Sequence, residues 1–134
     1  MLDLAVAGAR GFAVERAELT REGPSYTVET LVGLRAREPG VGWTLLLGAD
    51  AAAELDAWHR VAELPGLARI VVFARPGTPS PVSPLIAGTV EVPAVEISAT
   101  EIRRRVREGR PVRYWVPDAV AEYMVRHRLY LDAE

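Results

Sequence analysis

Two uninterrupted apolar runs constrain this chain more than any other feature. Trp43 to Leu47 is closed by Gly48, and Ile70 to Ala74 is closed by Arg75-Pro76-Gly77. A run that is apolar on both faces suits a parallel strand buried from both sides, whereas an antiparallel strand with a wet face alternates. A helical segment, Ala51 to Leu64, lies between the runs. Strand, helix, strand in that order is the βαβ unit of an α/β domain.

The flanking punctuation fills in the rest. Met1 to Ala9 reads as the end of a helix, and Phe12 to Val14 as a short strand. Arg21-Glu22-Gly23-Pro24 is turn chemistry. Ser25 stands where an N-cap belongs, ahead of a helix running to about Glu38. Val28, Leu31, Leu34 and Val32 supply the apolar face of that helix at helical spacing. Pro76 to Pro84 reads as a loop, with short strands at Thr89 to Val92 and Ala94 to Ile97. Ser98-Ala99-Thr100-Glu101 has the form of a capping box, in which the serine caps the third helical amide and the glutamate reaches back. That helix extends to about Glu108 and stops at Gly109, with Ile102 and Val106 inward. Pro117 sits at a first helical position, opening a last helix with Val120, Tyr123, Met124 and Leu129 on its buried side. No internal repeat or linker interrupts the chain, which reads as one domain, 1–134.

Composition excludes several functions. With 134 residues, 49% hydrophobic and 25% charged, the chain has the profile of a soluble globular domain. A net charge of −2 gives no general attraction to nucleic acid or anionic membranes. There is no cysteine, hence no disulfide, thiolate metal site or cysteine nucleophile. All basic residues are arginine, which removes a lysine Schiff base and a P-loop lysine. No apolar stretch approaches the roughly 20 residues of a membrane span, and no signal peptide is visible. A cytoplasmic protein is expected.

Three segments can carry chemistry, each at a strand end or helix start, where open α/β sheets bind ligands. In Pro24-Ser25-Tyr26-Thr27-Val28-Glu29-Thr30-Leu31, free amides and the helix dipole can receive a carboxylate; the bland alternative is a plain N-cap with Tyr26 in the core. In Gly48-Ala49-Asp50 followed by Leu55-Asp56-Ala57-Trp58-His59, Asp50 can accept from ribose hydroxyls and Trp58 can stack on an aromatic ring. Here the alternative is that Asp50 caps the next helix and Trp58 fills the core. In Ile97-Ser98-Ala99-Thr100-Glu101-Ile102-Arg103, hydroxyls, amides and an arginine one turn on can cradle phosphates. The arginines that follow read as a solvated helix face, not a nucleic-acid patch.

Taken in order, the three segments resemble one family. Pro24 to Leu31 is similar to the PSYTxxTL segment of bacterial nicotinate-nucleotide adenylyltransferases, and Gly48 to Leu64 to their GxDxxxxLxxWxxxxxL segment. Ile97 to Tyr130 resembles their ISxTxIRxRxxxGxxxxxxVPxxVxxYxxxHxLY ending. The resemblance implies a Rossmann-like nucleotidyltransferase fold with a parallel sheet and carboxy-terminal helices. It implies transfer of AMP from ATP to nicotinate mononucleotide, giving deamido-NAD and pyrophosphate, with Mg²⁺ accompanying ATP and not liganded by the protein. Thr27 and Tyr26 are then expected near the nicotinate carboxylate, Trp58 on the pyridine with His59 beside it, and Gly48 and Asp50 at the nucleotide. Ile97, Ser98, Thr100 and Arg103 are expected at ATP. The related nicotinamide-mononucleotide and pantetheine-phosphate enzymes are the alternatives; the PSYT and tryptophan segments argue against the latter.

One departure stands out. The family opens with GGxFDPxHxGH, whose histidines contact phosphates, whereas the two histidines here, His59 and His127, match other positions. The chain is therefore expected to correspond to the carboxy-terminal two-thirds, an incomplete domain without the first strand or the catalytic residues. A sticky or marginal chain follows, one completed by another chain or forming a homo-oligomer. A non-catalytic nucleotide-binding remnant is the competing function.

Overall fold

In the computed structural model the two apolar runs become neighbouring parallel strands, as expected. The structure describes residues 1–75, 77 and 81–131. β1 (Thr44–Gly48) pairs with β2 (Arg69–Ala74), setting Leu45 against Ile70 and Leu47 against Val72. β3 (Gly88–Glu91) joins the other side of β2, also parallel, giving the order β1-β2-β3. The helices are α1 (Leu2–Val6), α2 (Thr27–Arg37), α3 (Ala49–Ala53), α4 (Leu64–Leu67), α5 (Ala99–Arg107) and α6 (Asp118–Arg126). Contacts divide the chain into two compact units, Arg16–Ala94 and Met1–Glu15 with Val95–Glu134.

The sheet unit has one core. Leu47 of β1 and Ile70 and Val72 of β2 meet Val28 and Leu31 of α2, Ala52 of α3, Leu55, Leu64 and Ala68. The guanidinium of Arg35 donates to the Gly66 carbonyl, tying α2 to α4. Val32, expected on the apolar face of α2, is exposed: it lies off the stripe that Val28 and Leu31 direct at the sheet.

The crossover from β1 to β2 is not the single helix the sequence suggested. It runs through α3, 3-10 turns at Leu55–Ala57 and Val61–Glu63, and α4. Leu55 and Leu64 explain the break, being 0% and 1% exposed. At roughly 100° per residue, one helix would point residues nine apart to opposite sides, and only a broken path buries both in one core.

The second unit has a smaller core. Val112, Val120 and Met124 form it, with Leu4, Ile102, Val106, Val116, Leu129 and Tyr130 packed around. Ile102 and Val106 face inward as expected. Pro117 is the N-cap of α6 and not its first residue, and Leu129 lies beyond the end of that helix. No strand forms at Phe12 to Val14 or at Ala94 to Ile97; neither segment has a partner strand, and an isolated extended segment has no ladder to complete. Of the loop expected at Pro76 to Pro84, residues 76 and 78–80 lie outside the described residues, and 81–83 are neither helix nor strand.

The apolar runs imply burial on both sheet faces, but one face stays largely open. Leu46, Phe73 and Val90 are 53%, 37% and 46% exposed and lie on the face away from Ile70 and Val72. β1 is an edge strand with no charge or proline to blunt it. Concentration-dependent association is therefore expected in sedimentation velocity, with Leu46→Lys shifting the distribution toward monomer. A monodisperse monomer at all concentrations, unchanged by the substitution, contradicts this.

Candidate functional site

α2 begins without a side-chain cap. Its N-cap is Tyr26, not Ser25 as expected, and the Tyr26 side chain makes no capping bond. The Tyr26 carbonyl accepts from the amides of Glu29 (3.0 Å) and Thr30 (3.2 Å). No side chain competes for the amides ahead of Glu29, which lie at the positive end of the helix. Behind this start, the Thr30 hydroxyl donates to Glu18 Oε1 (2.6 Å) and accepts from Arg21 (3.3 Å), and Arg21 also approaches Glu29 at 3.6 Å. The network fixes α2 against the preceding 3-10 turn at Ala17–Thr20.

The break in the crossover faces this helix start. Ser25, Tyr26 and Thr27 share one cleft of about 310 Å³ with Ala57, Trp58 and His59. Two segments that the sequence keeps thirty residues apart thus meet at one place. The Tyr26 and His59 rings stack, their centroids 4.1 Å apart and their planes at 28°. Tyr26 is 38% exposed, so it is not the core residue of the bland alternative. Trp58 combines two roles: it is half-buried, packs on the sheet-unit core and lines the cleft.

The turn that presents Trp58 and His59 is anchored on both sides. The Trp58 amide donates to Leu55 and the Trp58 carbonyl accepts from Val61. Arg60 adopts a left-handed conformation, φ 53°, which is unfavourable for a residue with a Cβ. Its guanidinium grips Glu63 through two bonds of 2.7 Å. The hydrogen bond from Arg60 holds the Glu63 carboxyl below its usual range. The sequence carried a signal for this clamp, opposite charges three residues apart, and the sequence reading passed over it.

Gly48 and Asp50 do not line this cleft. Gly48 closes β1 and is the N-cap of α3, while Asp50 lies exposed in the first turn of that five-residue helix. The other expected site residues belong to the second unit. Ser98 is the N-cap of α5 and its hydroxyl oxygen accepts from the Glu101 amide at 3.1 Å, as expected. The reciprocal half of the capping box is replaced. The Glu101 carboxylate engages Arg104 (2.8 and 2.9 Å) and Arg105 (3.2 Å), because charge-assisted bonds are stronger than one to a neutral amide. Thr100 Oγ1 accepts from Arg103 at 3.4 Å, and both residues are exposed. Ile97 is half-buried before the cap. Ser98, Thr100 and Arg103 thus occupy one helix start. Arg105, part of the clamp on Glu101, also lies 4.1 Å over the Trp115 ring, a cation–π contact the motif reading missed.

A second, mostly apolar groove of about 840 Å³ lies on the second unit, lined by Val106, Pro111, Val112, Met124 and Val125 among others. Two arginines at its rim, Arg110 and Arg113, already pair with Glu108 and Asp118. It is larger than the cleft at Trp58 but lacks a comparable set of convergent polar groups. Among the described residues, no helix is long and apolar enough to cross a membrane, and no group of three or more His, Cys, Asp or Glu could hold a metal ion.

The α5 start makes two testable statements. Ser98→Ala is expected to destabilise the second unit by about 1 kcal/mol in chemical denaturation, the usual worth of such a cap. The hydrogen bond from Arg104 holds the Glu101 carboxyl below its usual range. A depressed folded-state pKa stabilises fully above the ordinary carboxylate range, and the contribution is lost as pH falls through the folded value. Glu101→Gln is therefore expected to flatten the acid limb of melting temperature against pH and to leave no extra loss at low pH.

Comparison with known proteins gives consistent relatives. No protein-family profile matches the chain. It is 49% identical over 127 residues to "Probable nicotinate-nucleotide adenylyltransferase" of Thermus thermophilus, covering 95% of this chain and 68% of that protein. It is 37% identical over 140 residues to the protein of the same name from Herpetosiphon aurantiacus, covering 98% and 71%. Among solved structures it is similar to Plasmodium falciparum nicotinic acid mononucleotide adenylyltransferase complexed with NaAD. The TM-score is 0.59 at 13% identity, over 80% of this chain and 58% of that one. The same enzyme complexed with APC also gives 0.59 at 13% identity, over 81% and 60%. The chain spans about two thirds of the length of these curated relatives and less of the solved ones, as the resemblance implied, and it carries the nucleotidyltransferase fold.

Proposed function

The chain belongs to the nicotinate-nucleotide adenylyltransferase family, and from that premise we propose that it contributes the pyridine-nucleotide cleft and a phosphate-holding helix start to the transfer of AMP from ATP to nicotinate mononucleotide. In this cytoplasmic step of NAD biosynthesis, a phosphate oxygen of the mononucleotide attacks the α-phosphorus of ATP in line. The new P–O bond forms as the α–β bridge breaks, and pyrophosphate leaves. Such chemistry depends on positioning and charge neutralisation. Mg²⁺ arrives with ATP as part of the substrate and neutralises triphosphate charge.

The observation that carries this reading is the single cleft joining Ser25, Tyr26 and Thr27 to Trp58 and His59. An aromatic face beside an uncapped helix start suits a planar ring bearing a carboxylate. Trp58 takes the ring, while the α2 amides and Thr27 take the carboxylate. Gly48 and Asp50, at the carboxyl end of β1, take the nucleotide sugar. In the second unit Ser98 already caps Glu101, so a phosphate at α5 uses the remaining amides, the Thr100 hydroxyl and Arg103, whose contact with Thr100 at 3.4 Å is easily exchanged.

Turnover is a separate matter. His59 and His127 both lie outside the family's phosphate-contacting motif, so binding without catalysis is the expected behaviour of these 134 residues by themselves. Calorimetry is expected to detect nicotinate mononucleotide and ATP, with no dinucleotide above the no-protein control. Trp58→Ala should weaken the mononucleotide by the ~1–3 kcal/mol of a lost stacking contact. Arg103→Ala should weaken ATP and leave the mononucleotide unaffected. Unchanged mononucleotide affinity in Trp58→Ala contradicts the assignment of the cleft, and dinucleotide formation contradicts the non-catalytic reading.

A further inference from the structure

The charges along the apolar groove of the second unit do not all find partners. Val112 and Met124 form its buried floor, and Val125 beside them is 75% exposed. The charged residues that line it are Arg110, Arg113, Asp118, Glu122 and Arg126. Arg110 pairs with Glu108 at 3.6 Å, and Arg113 with Asp118 at 3.9 Å. Glu122 and Arg126 are left over. They stand one turn apart on α6, both exposed, and neither side chain has an ion-pair or hydrogen-bond partner among the described residues. An acid four residues ahead of a base favours a bridge within the helix, yet the two do not bridge.

We propose that this groove is a two-fold interface for a second copy of the chain, with the two α6 helices antiparallel and each Glu122 bridging to the partner's Arg126. A two-fold contact uses the same patch on both copies, so the patch must complement itself. α6 meets that condition with one free acid and one free base. An axis level with Met124 lies two residues, about 3 Å along the helix, from each of them. Antiparallel helices about that axis bring unlike charges together twice. Val125, one residue from the axis, packs on its own copy over the apolar floor. The rim pairs of Arg110 and Arg113 stay at the edge, where polar groups usually surround an apolar contact. Other occupants fit less well. A partner of a single charge sign satisfies one of the two residues and is repelled by the other, and a purely apolar partner leaves both unpaired. This face is distinct from the open edge of β1, which belongs to the other unit. Two such faces on one chain link copies into open rows, whereas blocking the sheet edge leaves a closed dimer.

Sedimentation velocity of the full chain carrying Leu46→Lys isolates this interface, because the sheet edge is then charged. That variant is expected to remain in a concentration-dependent equilibrium between monomer and dimer. Adding Glu122→Arg, or Arg126→Glu, sets like charges face to face at both ends of the contact and should weaken the dimer about tenfold. Combining the two exchanges the signs and should restore the dimer to within about twofold of its parent. All three positions are exposed, and thermal melts check that each variant is folded. A Leu46→Lys chain that is monomeric at every concentration overturns the proposal and leaves the groove to a different partner. A dimer that neither single substitution weakens, or that the combination fails to restore, overturns it as well.

Discussion

The burial of Leu55 and Leu64 in the core that Ile70 and Val72 share is the constraint on which the rest of the sheet unit depends. β1 and β2 are registered side by side, which fixes both ends of the crossover. Two leucines nine residues apart cannot reach one core from a straight helix. Each buried leucine contributes about 1.5–3 kcal/mol, more than the few tenths per residue that helix propensity offers. Core packing therefore wins, and the helix breaks between them.

The break is what creates the cleft. A continuous helix from Ala51 to Leu64 would have carried Trp58 and His59 as ordinary helical residues. With the chain turned outward between two anchors, both rings reach the start of α2. The cost is local and visible: a left-handed backbone at Arg60, offset by the grip on Glu63. The function assigned to this region thus follows from a packing conflict in the crossover and from the particular place where it is resolved.

This conflict also marks where the sequence stopped being legible. Strand identity, the Ser98 cap, the Gly109 stop and the inward pair Ile102 and Val106 are local properties, written in neighbouring residues. The resemblance put Thr27, Trp58 and His59 on one ligand, but the backbone path by which they meet, through two distant segments and a helix that does not form, is not written in neighbouring residues. Smaller misreadings are local. Ser25 carries the right side chain for a cap, yet the helix begins one residue later. Glu101 matches a capping box, yet two arginines on its own helix outcompete the amide. For Glu101 the pattern was correct and a nearby competitor decided the outcome.

The open sheet face shows the converse, a pattern that specifies more than this chain covers. Val71 is buried, while Leu46, Phe73 and Val90 around it in the ladder remain exposed. Nothing in local chemistry asks for apolar residues at those positions, because an antiparallel-style alternation of polar and apolar residues would solubilise the same face. The apolar choice is intelligible as the requirement of a sheet meant to be covered on both sides, with β1 paired on both edges. The two properties share one cause: the strand that would be central in such a sheet, with its unblunted backbone and side chains apolar above and below, is here its edge.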